Sequence, residues 1–320
     1  METLADRGEA DLVALIAATF REATPLEVGI GDDGAVFAHS PRVIAVADAM
    51  VEGIHFDRRY CPAEAIGRKL VAVNVSDIAA MGGRPTVALF TAGLPGALPW
   101  AFVSDLVAGV GAAAAESGLT VVGGDVTGSP GPICLSLSVL GEPGPAVLMR
   151  SGARVGDGLY VTGGLGGSGF GLRVLCEALI PEERAADCIQ RHLTPTARLA
   201  FGRALAFSSD VGACMDLSDG LAQDAPRLAA ASHVGLRVDL DRLPIHPELR
   251  RERPDLAEAL ALHGGEDYEL LFTSRSSPPI PATRIGEVVL GSGIEWRRDG
   301  RAVAVSSPLA YRHFGEAPER

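Results

Sequence analysis

Lysine is nearly missing from this chain. Lys69 is the one lysine among 28 basic residues. A phosphate-binding P-loop needs a lysine closing a G-x-x-x-x-G-K-[ST] run, and no such run exists. Cysteine is sparse too. The five, Cys61, Cys134, Cys176, Cys188 and Cys214, form no C-x-x-C pair, which argues against a disulfide framework and a zinc ribbon. They read as small buried apolar residues. Apolar runs fall short of the roughly 18 residues that cross a bilayer. No basic stretch leads into an apolar one near the start, so a cytoplasmic protein is expected. Positive charge is outnumbered, 28 basic against 40 acidic residues, for a net charge of −12. Such a chain is poorly suited to nucleic acid or to an anionic membrane surface. Any anion it handles must be met locally, by metal ions or helix N-termini.

What is present describes a globular protein. Hydrophobic residues make up 47% and charged residues 21%. The 320 residues suit two domains better than one. No solenoid-length repeat is visible. Helical periodicity covers 8–20, and a glycine-rich loop spans 28–35. Strands are expected at 42–47, 85–93, 119–122 and 132–140, with helices from Pro62 to Met81 and over 99–117. The run GEPGPAV at 141–147 is the best linker candidate. Beyond it lie expected strands at 158–162, 211–215, 235–240, 268–273 and 283–290, and helices at 169–180, 196–207 and 220–232. Asp299-Gly300 reads as a tight hairpin turn. The expected fold class is α/β with mixed α+β character, in two domains, 1–145 and 146–320, each a mixed sheet covered by helices.

Two segments match G-x-G-x-x-G. The first, Gly29 to Gly34, places Asp32 and Asp33 where a pyrophosphate would sit. The second, Gly164 to Gly169, lies between a strand and a helix, the right context for a dinucleotide fingerprint, although packing alone also produces such turns. The aspartates are more telling. Asp48 follows an apolar strand, and Asp77 sits three residues after Asn74 on one helix face. Asp125 follows Gly123-Gly124, and Asp216 and Asp219 flank the turn Asp-Leu-Ser-Asp-Gly. Each alone could be a cap or a turn residue. Together, carboxylates at the ends of apolar strands with few basic neighbours call for divalent counter-charge. Mg²⁺ prefers such hard oxygen ligands and shares its shell with phosphates. A multi-Mg²⁺ polyphosphate site follows. Gly264-Gly-Glu-Asp-Tyr-Glu269 adds a second acidic group, in which Glu266, Asp267 or Glu269 could face a ligand or simply decorate a strand start. His55 alone is more often structural than functional.

The ordered set GIGDDGAV (29–36), ADAMVEGIHF (47–56), VAVNVSDIAAMGG (71–83), GGD (123–125), RSGA (150–153), DLSDG (216–220) and GGEDYEL (264–270) resembles the thiamine-monophosphate kinase family of the aminoimidazole-ribonucleotide synthetase superfamily, over nearly the whole chain. The resemblance implies transfer of the γ-phosphate of ATP to thiamine monophosphate. It implies several Mg²⁺ ions on Asp33, Asp48, Asp77, Asp125, Asp216 and Asp219. ATP contacts fall to Gly124, Asp125, Arg150 and Ser218, and thiamine-end contacts to His55, Glu266 and Tyr311. It further implies a homodimer joined through N-terminal sheets and a cleft completed by the C-terminal domain. No acid–base residue is expected, because the attacking phosphate monoester, with a second pKa of about 6, is already ionised at neutral pH. The chain departs from the family at Val46-Ala47, where hydroxyl residues usually stand, and at 166–169, which lacks a frequent acid. Rival readings are a decayed relative that only binds ATP or thiamine phosphates, and another superfamily enzyme such as aminoimidazole-ribonucleotide synthetase. The first cysteine, Cys61, falls too late for a selenophosphate synthetase.

Overall fold

The computed structural model describes residues 2–20, 26–28 and 36–305. In chain order the elements of the first half are α1 (Leu4–Thr19), β1 (Leu26–Val28), β2 (Val36–Phe37), β3 (Ile44–Val51), α2 (Ala63–Ala80), β4 (Arg84–Leu94), α3 (Trp100–Ser117), β5 (Thr120–Gly128) and β6 (Cys134–Glu142). The second half holds β7 (Gly158–Val161), α4 (Gly167–Glu177), α5 (Ala186–Leu193), α6 (Leu199–Ala206), β8 (Val211–Asp216), α7 (Leu221–Ser232), β9 (Gly235–Asp239), α8 (Pro247–Glu252), α9 (Ala257–His263), β10 (Leu270–Ser274), β11 (Thr283–Val289), β12 (Gly293–Arg298) and β13 (Arg301–Ala302). No described helix is long and apolar enough to cross a membrane.

These elements form two compact units, residues 1–148 with 193–208, and 149–192 with 209–320. The expected division at 145 therefore needs two adjustments. First, 141–147 is bonded into the first unit, where the Ala146 N–H donates to the Ala206 carbonyl and the Leu148 N–H to that of Met81. Second, α6 lies in the later half of the chain yet packs on α2. Gly202 makes this possible, because a Cβ there would lie 1.9 Å from the Ala79 carbonyl oxygen.

The first unit is built on a four-stranded sheet ordered β3-β6-β4-β5. Only the β4–β5 pair is parallel, linked through α3. Helix α2 is buried nearly all round, with Ile66, Leu70, Val71, Ile78 and Ala79 unexposed. It starts where expected, after Pro62. Its close approach to α3 depends on absent side chains: a Cβ on Gly67 would meet the Leu106 carbonyl oxygen at 2.2 Å. Helix α1 begins four residues before the expected start. Thr3 and Asp6 form a capping box there, and Gly8, at φ 78°, kinks the helix.

The second unit holds a seven-stranded sheet ordered β13-β12-β9-β11-β7-β10-β8. All its pairs are antiparallel except β9–β12. Leu159, Val161, Met215, Leu236, Val238, Leu271 and Ile285 form its core with Leu228 of α7. Asp299 and Gly300, both at positive φ, make the β12–β13 turn, as Asp-Gly should. Helices α5 and α8 are short and charged, and their apolar periodicity is too brief to read from sequence.

Replacing Gly67 with Ala forces α2 and α3 apart. We expect a loss of about 1–3 kcal/mol in unfolding free energy, read from urea midpoints.

Candidate active site

In the first unit, Asn74 ties β3 to α2. It is fully buried, its Oδ1 accepts the Asp48 N–H at 2.8 Å, and its amide donates to the Leu70 carbonyl. This bond sets Asp48 beside α2, with Asp77 one turn along the same helix face. Asp48 lies within β3 rather than at its end, and Asp125 within β5. Solvent reaches Asp48, but crowding by the surrounding protein pushes its carboxyl up, with His55 opposing. His55 is fixed at both ends. Its Nδ1 accepts the Val51 N–H at 3.1 Å, and buried Lys69 donates to its carbonyl at 3.2 Å. The lone lysine therefore serves the loop that holds His55.

Sheet register places Asp48 opposite Leu137, Phe90 and Gly124 in one row, and Asp125 in the next row with Thr91, Ser136 and Ala49. Both aspartates occupy edge strands. Three strand spacings, about 14 Å, separate their backbones. One ion with bonds of about 2.1 Å cannot take both. Gly124 is required where it stands. At φ 149° a side chain would strike the Phe90 carbonyl at 1.7 Å.

In the second unit, the turn after β8 is zipped to the acidic segment before β10. The Leu217 N–H donates to the Glu269 carbonyl, the Tyr268 N–H to that of Leu217, and the Glu266 N–H to that of Ser218. Glu266 (φ 55°) and Tyr268 (φ 49°) are held in left-handed backbone by these bonds, a strain that such over-determined segments sustain. Asp216 is buried. Arg227 pairs with Asp219 at 2.6 Å and Asp224 at 2.7 Å. Asp224 also accepts the Asp219 N–H at 3.0 Å. Burial, with help from the Asp219 charge, pushes the Asp224 carboxyl up to about 7. Sequence reasoning missed Asp224 and Arg227. A further carboxylate in the first helical turn after Asp-Leu-Ser-Asp-Gly was the available signal.

The three acids at 266–269 separate by role. Buried Glu269 accepts a bond from Thr162 Oγ1 at 2.7 Å and pairs with Arg191 at 3.3 Å. Asp267 accepts the N–H groups of Gly166 at 2.7 Å and Ser168 at 3.2 Å, capping α4 from a distance. Glu266 keeps a half-buried carboxylate 3.3 Å from Nδ1 of His192, which sequence reasoning also missed. The Asp267 cap removes the dinucleotide reading of 164–169. A carboxylate already fills the helix N-terminus where a phosphate would bind, and β7 before it lies between antiparallel neighbours. Ser218 is half-buried and Arg150 is exposed. Asp32, Asp33 and the first glycine loop, with Tyr311, lie outside the described residues.

Among the described residues, no three of these aspartates bring carboxyl oxygens into one coordination sphere. The candidate donors are nonetheless all carboxylate oxygens, within β3, α2 and β5 and at and after the end of β8. That suits Mg²⁺, which takes one or two carboxylates and leaves room for water and phosphate.

Family models for AIR synthase related proteins match both halves, the N-terminal domain over residues 31–142 and the C-terminal domain over 154–296. A thiamine-monophosphate kinase of Aquifex aeolicus is 38% identical over 97% of this chain and 99% of its own. The chain belongs to the thiamine-monophosphate kinase family. The crystal structure of the Stenotrophomonas maltophilia K279a kinase is 33% identical, covering 92% of this chain and 96% of its own, with a TM-score of 0.79. A structure described as AaThiL complexed with AMPPCP and TMP is 37% identical over 96% and 97%, with a TM-score of 0.78. The fold is therefore the two-domain α/β architecture of that family, mixed sheets with helices, as the motif set implied.

The Asp267 cap has a pH signature. Burial pushes its carboxyl up to about 7, against the pull of its two N–H bonds. Between about pH 4 and about pH 7 the folded chain then holds a proton that the unfolded chain has lost, so stability falls as pH rises through that window. Urea midpoints of the wild type should decline across it relative to Asp267→Asn, whose side chain does not titrate.

Proposed function

We propose that this chain transfers the γ-phosphate of ATP to thiamine monophosphate, giving thiamine diphosphate and ADP. The observation that carries the reading is its 37% identity, over nearly the full length, to a structure holding AMPPCP and TMP. The rival readings have no such support. Mg²⁺, when bound, supplies neutralisation of charge on the transferring phosphates. Several ions would be held, by Asp33, Asp48, Asp77 and Asp125 in the first unit and by Asp216 and Asp219 in the second. Gly124, Asp125, Arg150 and Ser218 would bind ATP. At Gly124 the missing side chain admits the neighbouring Phe90 backbone, so any contact with ATP would come from the Gly124 backbone itself. His55, with Nδ1 committed to the Val51 N–H, carries its proton on Nε2 and donates from there. Glu266, its backbone strained and its carboxylate 3.3 Å from His192, would meet the thiamine end, together with Tyr311. Val46, half-buried, and Ala47 offer no hydroxyl to an ion, which weakens one metal position.

Homodimerisation and a cytoplasmic setting complete the proposal. One face of the four-stranded sheet carries α2 and α3. The other presents Ala45, Ala47 and Ala49 of β3, Ser138 of β6 and Leu89 of β4, all exposed. Leu89 is 49% exposed. A flat face of small residues with an apolar centre fits a second copy of the same sheet.

Chromatography of a mixture of protein, Mg²⁺, ATP and thiamine monophosphate should show thiamine diphosphate. Asp48→Asn should cut turnover by at least about 100-fold with its circular dichroism unchanged. Near-normal turnover in that variant would remove Asp48 from the site. Leu89→Arg should convert a dimer to a monomer in sedimentation; a wild type that sediments as a monomer contradicts the dimer.

A further inference from the structure

A second constellation lies in the second unit, between α5 and the start of α8. Cys188, in the first turn of α5, sits with its sulfur 3.0 Å from Nδ1 of His246, the residue that opens α8. The Glu248 carboxylate, two residues on, accepts the Cys188 N–H at 3.0 Å. One ligand atom from each of the three lies within 4.8 Å of the others. Cys188 and His246 are buried, and Glu248 is half-buried. On its other side, Nε2 of His246 bonds the Asp187 carboxylate at 2.7 Å. That bond places the ring proton on Nε2 and turns the Nδ1 lone pair toward the sulfur.

We propose that Cys188, His246 and Glu248 form a zinc site, with Asp187 orienting the histidine. Sulfur, imidazole and carboxylate are the donors zinc takes, and three protein ligands plus water is a common set. In a tetrahedral zinc site these atoms lie about 3.5 Å apart, so the sulfur and Nδ1 need to separate by only about half an ångström. The carboxylate–histidine pair is the outer arrangement that fixes ring and tautomer at metal centres. Charge closes as well: one thiolate and one carboxylate cancel the dication in a largely buried place. Glu248 and exposed Asp187 give an entry from solvent.

The competing account is a thiol packed in an apolar cluster with Phe170, Val174 and Leu249, donating to a histidine. Burial and the neighbouring carboxylates push the Cys188 thiol up, so without metal it stays protonated and is neither a nucleophile nor a redox centre. Zinc binding replaces that S–H with a Zn–S bond and releases the proton to solvent. The two accounts therefore differ in what the chain does when offered metal.

The test uses the full tag-free chain, stripped with chelator and titrated with Co²⁺ in excess Mg²⁺, which occupies all-oxygen sites. We expect one Co²⁺ per chain with a thiolate-to-cobalt charge-transfer band, displaced by Zn²⁺. Cys188→Ser should lose the band. Glu248→Gln and Asp187→Asn, at more accessible positions, should keep the fold and weaken Co²⁺ binding by about 10–100-fold. A wild type without the band, a Cys188→Ser variant that retains it, or unchanged affinity in both carboxamide variants would overturn the zinc site.

Discussion

Repulsion between an acidic chain and a polyphosphate is the constraint to which the rest of this structure responds. A net charge of −12 works against gathering ATP by long-range attraction. Counter-charge has to be local, and under the proposed function carboxylates that would hold Mg²⁺ meet that need. The price is a set of acidic side chains, some of which repel each other, as Asp219 and Asp224 do. Burial raises the Asp48 carboxyl, and at Asp224 burial is joined by the charges of Asp219 and Asp216. Arg227, shared between Asp219 and Asp224, relieves part of that repulsion in the second unit.

Holding mutually repelling groups in place requires a rigid frame, and each unit supplies one differently. In the first, a nearly fully buried helix is pressed against sheet and neighbouring helices through glycines, and Asn74 couples it to the strand of Asp48. In the second, two loops are laced by backbone hydrogen bonds, with Asp267 anchoring one of them to the start of α4. The left-handed conformations of Glu266 and Tyr268 survive because the anchors on either side allow no alternative.

Much of this was legible in the sequence. Proline and glycine punctuation located α2, α3 and the β12–β13 turn, and the spacing of Asn74 and Asp77 already put them on one helix face. The order of the acidic motifs pointed to the family. Other features were hidden for physical reasons. The return of α6 to the first unit depends on a glycine–backbone contact between residues far apart in sequence. Glycines at 164–169 look the same whether a phosphate or the Asp267 carboxylate fills the helix start. Asp267, Glu269 and Glu266 share one short acidic run, and only their partners, Gly166, Thr162 and His192, tell their roles apart.

In the proposed reaction, positioning and counter-charge carry the transfer, with no protein base taking a proton from the acceptor. The direct measurement is the rate of thiamine diphosphate formation against pH at saturating Mg²⁺ and substrates. The rate should rise with ionisation of the acceptor phosphate, near its second pKa of about 6, and then stay level through about pH 8. A bell-shaped profile set by a protein acid and base would contradict it.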